Sequence, residues 1–195
     1  MPFVPPPASL GRVTSVNVGL PRATRWQGRL VRSAIWKEPV DGRVAIRGTS
    51  LVGDDQADHR VHGGELKAVY AYASEDIAWW ERELGRSLGS APFGENLTLA
   101  GVDLVQARIG ERWRFGSALL EIVGPRVPCF KLAMRHADPE LPERFRRAGR
   151  AGAYWRVVAE GEVGAGDPAS QVGAAPDGAP TLLDAFRLMT GTEVR

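Results

Sequence analysis

IGERWRFGSALLEIVGPRVPCFKL, residues 109–132, is the stretch on which the fold class turns. Arg112–Phe115 and Ala118–Val123 are short runs rich in strand-forming residues, and Gly116 with Ser117 joins them as a β-hairpin. Beyond the hairpin, Pro125 and Pro128 each lack a backbone donor, so GPRVPCFKL is expected to be irregular. A hairpin followed at once by broken backbone argues for a protein of short strands and tight connections, not of long helices.

The flanking sequence repeats that pattern. Upstream, Val13–Val18, Arg29–Trp36 and Val44–Ile46 read as strands separated by Gly, Pro and Asp. Leu66–Tyr72 reads as a largely buried strand. Ser74 is expected to cap a helix carrying Ile77, Trp80 and Leu84 on one face and ending at Gly85. The loop SAPFGEN then leads into a strand at Leu97–Leu99. Downstream, Pro139–Ala148 reads as an amphipathic helix, and Tyr154–Ala159 with Val163 as a last hairpin turning at Glu160-Gly161. Gly164 to Pro180 is rich in Gly, Ala, Pro and Asp and reads as a linker before a terminal helix over Thr181–Thr190. Many short strands with few helices indicate a mainly β domain, a barrel or a strongly bent antiparallel sheet. The regular strand–helix alternation of a doubly wound fold is missing.

The 195 residues, 44% of them hydrophobic, suffice for one sizeable core. No apolar run approaches the roughly 20 residues needed to cross a bilayer, and MPFVPPPASLGR lacks the basic and apolar regions of a secretory signal. One cysteine cannot form an internal disulfide, so the expectation is a cytoplasmic protein with a free thiol. A formal net charge of +2, with arginines scattered among carboxylates, supports neither a nucleic-acid nor a membrane partner. Among 22 arginines there are only three lysines, Lys37, Lys67 and Lys131, and two of them fall in the segments considered next.

Cys129 lies between Pro128 and Phe130, with Arg126 and Lys131 on either side. Nearby cations favour thiolate, the form that attacks electrophiles or binds metal. Taken alone, the same residue is equally compatible with an inert buried thiol. In DHRVHGGELK (58–67), Gly63-Gly64 lets backbone N–H groups approach an anion, and His59, His62 and Lys67 add donors and charge. That combination suits a phosphate, but a polar loop with a Gly-Gly turn would look the same. His-x-x-His with one distant cysteine is a poor zinc set, and one cysteine cannot hold an iron–sulfur cluster. In FGENLTL (93–99), Asn96 could read the edge of a heterocycle and Glu95 could act as acid or base, against the alternative of an ordinary turn before a strand. GAYWRVVAEGEVGAGD (152–167) reads as structural. No Ser-His-Asp arrangement, Walker loop, dinucleotide fingerprint or Cys-x-x-Cys is present.

Taken in order, HGGELKAVYAY, FGENLTL, IGERWRFGSALLEIVGPRVPCFKL and GAYWRVVAEGEVGAGD resemble the MOSC domain, named after the C-terminal domain of molybdenum-cofactor sulfurases, and most closely its small stand-alone bacterial members. The resemblance implies a β-barrel with short helices over residues 15–168, a flexible lead-in over 1–14, and a linker with a short helix over 169–195. It places Cys129 at the family's cysteine position, where it would ligate molybdenum or carry a persulfide sulfur. It further implies a bound molybdenum cofactor (molybdopterin), and reduction of N-hydroxylated bases or related compounds. His62, Gly63, Gly64, Lys67, Asn96, Arg126 and Lys131 would surround the pterin and its phosphate. No cysteines remain for a ferredoxin-like domain, so the expected partners are a small-molecule substrate and an external electron donor, or a sulfur donor protein. A sulfur-carrier module and a non-catalytic binding module are the competing expectations.

Overall fold

The computed structural model describes residues 11–57 and 63–191. The hairpin is formed by β9 (Arg112–Phe115) and β10 (Ala118–Pro125), with Leu120 opposite Trp113. Ala118, Leu120 and Ile122 alternate inward along β10 and are fully buried, as a strand with one covered face requires. β10 also pairs with β11 (Ala153–Ala159), which pairs with β7 (Val69–Ala73). β7 runs parallel to β8 (Leu97–Ala100), the two joined through α1 (Ser74–Leu84). β8 pairs with β1 (Gly11–Val18).

β13 (Pro168–Gly173) closes the ring, bonding to β9 on one side and to β1 on the other. The result among the described residues is a closed seven-stranded barrel, with the short β4 (Glu38–Pro39) attached to the far end of β1. Against it lie the hairpin β2 (Arg22–Trp26) and β3 (Arg29–Ser33), and a small sheet of β5 (Arg43–Arg47), β6 (Ser50–Leu51) and β12 (Gly161–Gly164). The remaining helices are α2 (Phe130–His136), α3 (Leu141–Ala148) and α4 (Leu182–Thr190).

β7 explains how the protein holds two cores. All five of its residues are buried. Val69, Ala71 and Ala73 face the barrel interior, with Leu97, Phe115, Ile122 and Trp155. Tyr70 and Tyr72 face the other way, into an aromatic cluster with Trp80, Phe93, Phe145 and Phe186. The period of two sorts small residues to one side and large rings to the other. The Tyr72 hydroxyl accepts from Trp80 Nε1 at 2.9 Å and donates to the Arg150 carbonyl at 2.6 Å, so the ring enters the core with its polar end satisfied.

Several expectations need correction. β1 begins at Gly11, so residues 11–14 belong to the barrel; residues 1–10 lie outside the described residues. The expected strand at 29–36 stops at Ser33 and pairs with an unforeseen partner at 22–26, around Gln27 and Gly28, both at positive φ, the geometry of a tight hairpin turn. The strand expected from Leu66 starts at Val69, after a short 3-10 turn over Glu65–Lys67. β7 runs directly into α1, so Ala73 takes the N-cap position and the Ser74 hydroxyl bonds Glu75 instead. β12 does not fold back on β11; it pairs with β5, which brings Val163 into the barrel core. The stretch expected as a linker from Gly164 contains β13, whose Ala169 and Ser170 are buried by the ring closure. GPRVPCFKL is irregular only from Arg126 to Cys129: β10 runs through Pro125, and α2 begins at Phe130.

Candidate functional site

The loop over residues 91–96, between α1 and β8, positions the site. Gly94 has φ +74, and a Cβ there would stand 3.0 Å from the Ile35 side chain and 3.1 Å from its carbonyl oxygen. Only glycine lets this loop pass so close to the segment after β3. The next two side chains point inward. Asn96 accepts from Tyr70 N at 3.1 Å through Oδ1, and its Nδ2 donates to Asp54 Oδ2 at 2.9 Å and to the Asn17 carbonyl at 3.3 Å. Glu95, fully buried, accepts from Phe93 N at 3.0 Å and from the Thr98 hydroxyl at 3.4 Å.

A small pocket, about 70 Å³ in volume, lies where this loop meets residues 33–37, 55–57 and the Arg126–Lys131 segment. Its walls carry Lys37, Lys67, Arg126 and Lys131, together with Tyr70, Tyr154 and Asn96. All three lysines of the chain therefore converge on one pocket. The Lys37 ammonium is ion-paired with Asp54, whose Oδ1 also accepts from Gly19 N at 2.8 Å. Burial pulls the Lys37 pKa below its ordinary value, against the pull of Asp54. The Arg126 guanidinium donates to the Phe93 carbonyl and lies 4.8 Å from the Tyr70 ring centre. Burial opposes its charge, but Tyr154, Tyr70, Cys129 and Glu95 outweigh that and raise its pKa. Burial also raises the pKa of Tyr70 and Tyr154, so both stay phenols at neutral pH. The Tyr154 ring lies 5.2 Å from that of Tyr70 and 6.0 Å from the Lys67 ammonium.

Cys129 is partly exposed and sits in extended backbone at the start of α2. It is not itself a wall of the pocket. It belongs to the four residues that separate two of the walls, Arg126 and Lys131. Of the residues anticipated from motifs, Lys67, Asn96, Arg126 and Lys131 thus share one pocket, with Cys129 beside it. The Asn96 amide is committed to holding the loop to Asp54 and Tyr70, which is a supporting position. Gly63 and Gly64 stand just before the 3-10 turn that presents Lys67; Gly64 has φ +90, and neither forms a wall. His59 and His62 lie outside the described residues. Motif reading did not single out Lys37, Asp54 or Tyr70.

The donor set constrains any metal. Among the described residues no group of three or more His, Cys, Asp and Glu side chains could hold an ion by itself. A metal that brings its own sulfur ligands needs only one thiolate from the protein, and a phosphate on the same group needs cations nearby. Cys129 beside four cationic side chains fits those two requirements of a molybdenum-bearing pterin.

A family model of the MOSC domain matches residues 58–170, more than half of the chain. The chain belongs to the MOSC family. The MOSC protein YflK of Bacillus subtilis, described as uncharacterized, is 38% identical over 154 residues, covering 79% of this chain and 70% of that one. A protein of Gibberella moniliformis named "Reductase" is 35% identical over 147 residues, 73% of this chain but 26% of the relative. The crystal structure of YiiM from Geobacillus stearothermophilus superposes with a TM-score of 0.75 at 34% identity, covering 92% of this chain and 83% of that one. No helix among the described residues of this MOSC protein is long and apolar enough to cross a membrane.

Proposed function

We propose that this MOSC protein is a molybdenum-cofactor-dependent reductase of N-hydroxylated bases or related compounds, with Cys129 as the thiolate ligand to molybdenum. The observation that carries the reading is the convergence of all three lysines and Arg126 on one pocket beside the chain's only cysteine. In a chain that otherwise uses arginine, lysine supplies a compact point charge, which suits a phosphate or another oxyanion. The named reductase among its relatives supports the reaction class.

The overall change cleaves an N–O bond: R–NH–OH takes up two electrons and two protons and leaves as R–NH₂ and water. The electrons come from an external donor. When bound, the molybdenum would supply the two-electron chemistry. The protein's own part is recognition. Lys67, Lys131 and Arg126, together with Lys37 in its pair with Asp54, would hold the anionic end of the cofactor, and Cys129 would offer the soft donor. Tyr154, kept as a phenol by burial, contributes its side chain to the pocket wall.

The test is to make the protein in a host that synthesises molybdenum cofactor and to measure metal and pterin after purification. Equimolar molybdenum and pterin are expected, with molybdenum lost in Cys129→Ser. A Lys131→Gln, Lys67→Gln double variant is expected to lose most of the pterin. Protein that never retains molybdenum overturns the reading, as does a cysteine mass increased by one sulfur without bound pterin.

A further inference from the structure

Among the described residues β2 and β3 pair only with each other, as a hairpin outside the barrel. The hairpin carries Arg22, Arg25, Arg29 and Arg32, all exposed, and from Leu20 to Lys37 the chain has no acidic residue. Of the chain's 25 cations five lie in this segment, and the 20 elsewhere face 23 anions, so the whole positive excess of the protein resides here. Antiparallel pairing sets Arg25 opposite Leu30 and Ala23 opposite Arg32. By the period of two these four side chains share one face, and all are exposed, Leu30 to 71%. Arg25 and Arg32 are diagonal neighbours on that face, where like charges repel. Among the described residues no carboxylate pairs with Arg25, Arg29 or Arg32. The isolated hairpin gains nothing from this crowding, whereas a negatively charged surface laid against the face relieves it. The hairpin is also rooted in the candidate site. Ser33, the last residue of β3, is a pocket wall, and Ala34, Ile35 and Lys37 continue that wall. At the root, the Arg22 guanidinium lies 4.3 Å from the Trp36 ring centre, a cation–π contact that ties β2 to the same wall. Each strand has five residues. At about 3.4 Å per residue the far end of the hairpin is at most about 17 Å from the pocket.

We propose that the exposed face of the β2–β3 hairpin docks an acidic electron-carrier protein, which delivers the electrons that N–O cleavage consumes. The inference rests on the reductase reading for the need of a donor. The carrier is oxidised by two electrons as R–NH–OH goes to R–NH₂ and water, and the two protons come from solvent. Charge and size favour a protein over a nucleic acid as the occupant. A single two-stranded arm offers a small contact, the size class of weak electron-transfer complexes. Arginine is enriched at protein interfaces and its guanidinium matches a carboxylate with two parallel hydrogen bonds. The rest of the chain, with its excess of anions, opposes a long polyanion. A cationic arm beside the pocket also steers an acidic carrier to the right part of the surface, an effect on the association rate that salt weakens.

The probes are two acidic carriers, a flavodoxin and a two-iron ferredoxin, titrated by calorimetry into the full-length, cofactor-loaded protein. Binding is expected at low salt and is expected to weaken about tenfold at about 0.3 M, where surface charges are screened over a few ångströms. Two triple variants of equal net charge separate location from total charge. Arg25→Glu, Arg29→Glu, Arg32→Glu reverses the hairpin and is expected to weaken binding at least about tenfold. Arg12→Glu, Arg82→Glu, Arg147→Glu reverses three exposed arginines elsewhere and is expected to change it little. The neutral triple Arg25→Gln, Arg29→Gln, Arg32→Gln serves as the readout should the reversed hairpin fold poorly, with an intermediate loss expected. Acetamidoxime reduction is then followed with the reduced carrier or with dithionite as donor. Hairpin reversal is expected to raise the KM for the carrier and to leave dithionite-driven turnover unchanged. Failure of both carriers to bind overturns the proposal, as does an equal loss in the two charge-reversed variants. So does an oligonucleotide that binds the hairpin arginines in place of the carriers. Hairpin-dependent carrier binding without dithionite-driven turnover keeps the docking surface and sinks the reductase reading instead.

Discussion

Glu95 combines full burial with a carboxyl group that can still ionise. Desolvation pushes its pKa up from 4.5 to about 7, although the N–H of Phe93 and the charges of Arg135 and Arg126 pull it down. Between those two pH values the folded protein retains a proton that the unfolded chain has released. The contribution is therefore fully present below about pH 4.5, and stability declines as pH rises towards 7 and through it. Glu95→Gln keeps an acceptor for Phe93 N and cannot ionise. Thermal unfolding from pH 4 to 8 is expected to show a wild-type midpoint that falls relative to the variant over this window, with the two similar at pH 4. Residue types announced much of this neighbourhood: Lys67, Lys131, Arg126 and Asn96 stood out from their motifs, and they do share a pocket. Lys37 did not, although its rarity as one of three lysines was a usable signal. Asp54 and Tyr70 carried none, because what matters about them is a contact with Asn96 across 42 and 26 positions of chain.

At the level of elements, α4 inserts Phe186 into the aromatic cluster. Its start is set by a capping box, in which the Thr181 hydroxyl accepts from Asp184 N at 3.1 Å and Asp184 accepts from Thr181 N at 3.3 Å. Thr181→Ala is expected to cost about 1 kcal/mol in denaturant unfolding. This helix was legible because its cap and apolar spacing are local. α2 was not: its N-cap is Cys129, with no side-chain capping bond, and two prolines precede it. β13 was missed for a different reason. PASQVG has few residues that favour strands, and its burial arises entirely from β1 and β9, which lie far away in the sequence. The hairpin β9–β10, by contrast, carries its own partner and turn.

For the whole molecule, that inconspicuous strand completes the barrel. The barrel anticipated from strand number and spacing is present, but its seam joins the first described strand to the last. Ending the chain after residue 167 is expected to leave β1 and β9 as open edges and to remove buried Ala169 and Ser170. Calorimetry of that truncation should show loss of the single cooperative transition and a tendency to aggregate; a sharp transition near the full-length midpoint would contradict the role given to β13. The seam also orders events during synthesis. Ala169 leaves the ribosome long after its partner Gly11. The hairpin β9–β10 and the unit β7–α1–β8 can form as they emerge, but the ring cannot close around its core until β13 has been made. Folding of the barrel is thus expected to wait for β13 to emerge and to close at a rate set by this one distant pairing, with the edge of β1 held open until then.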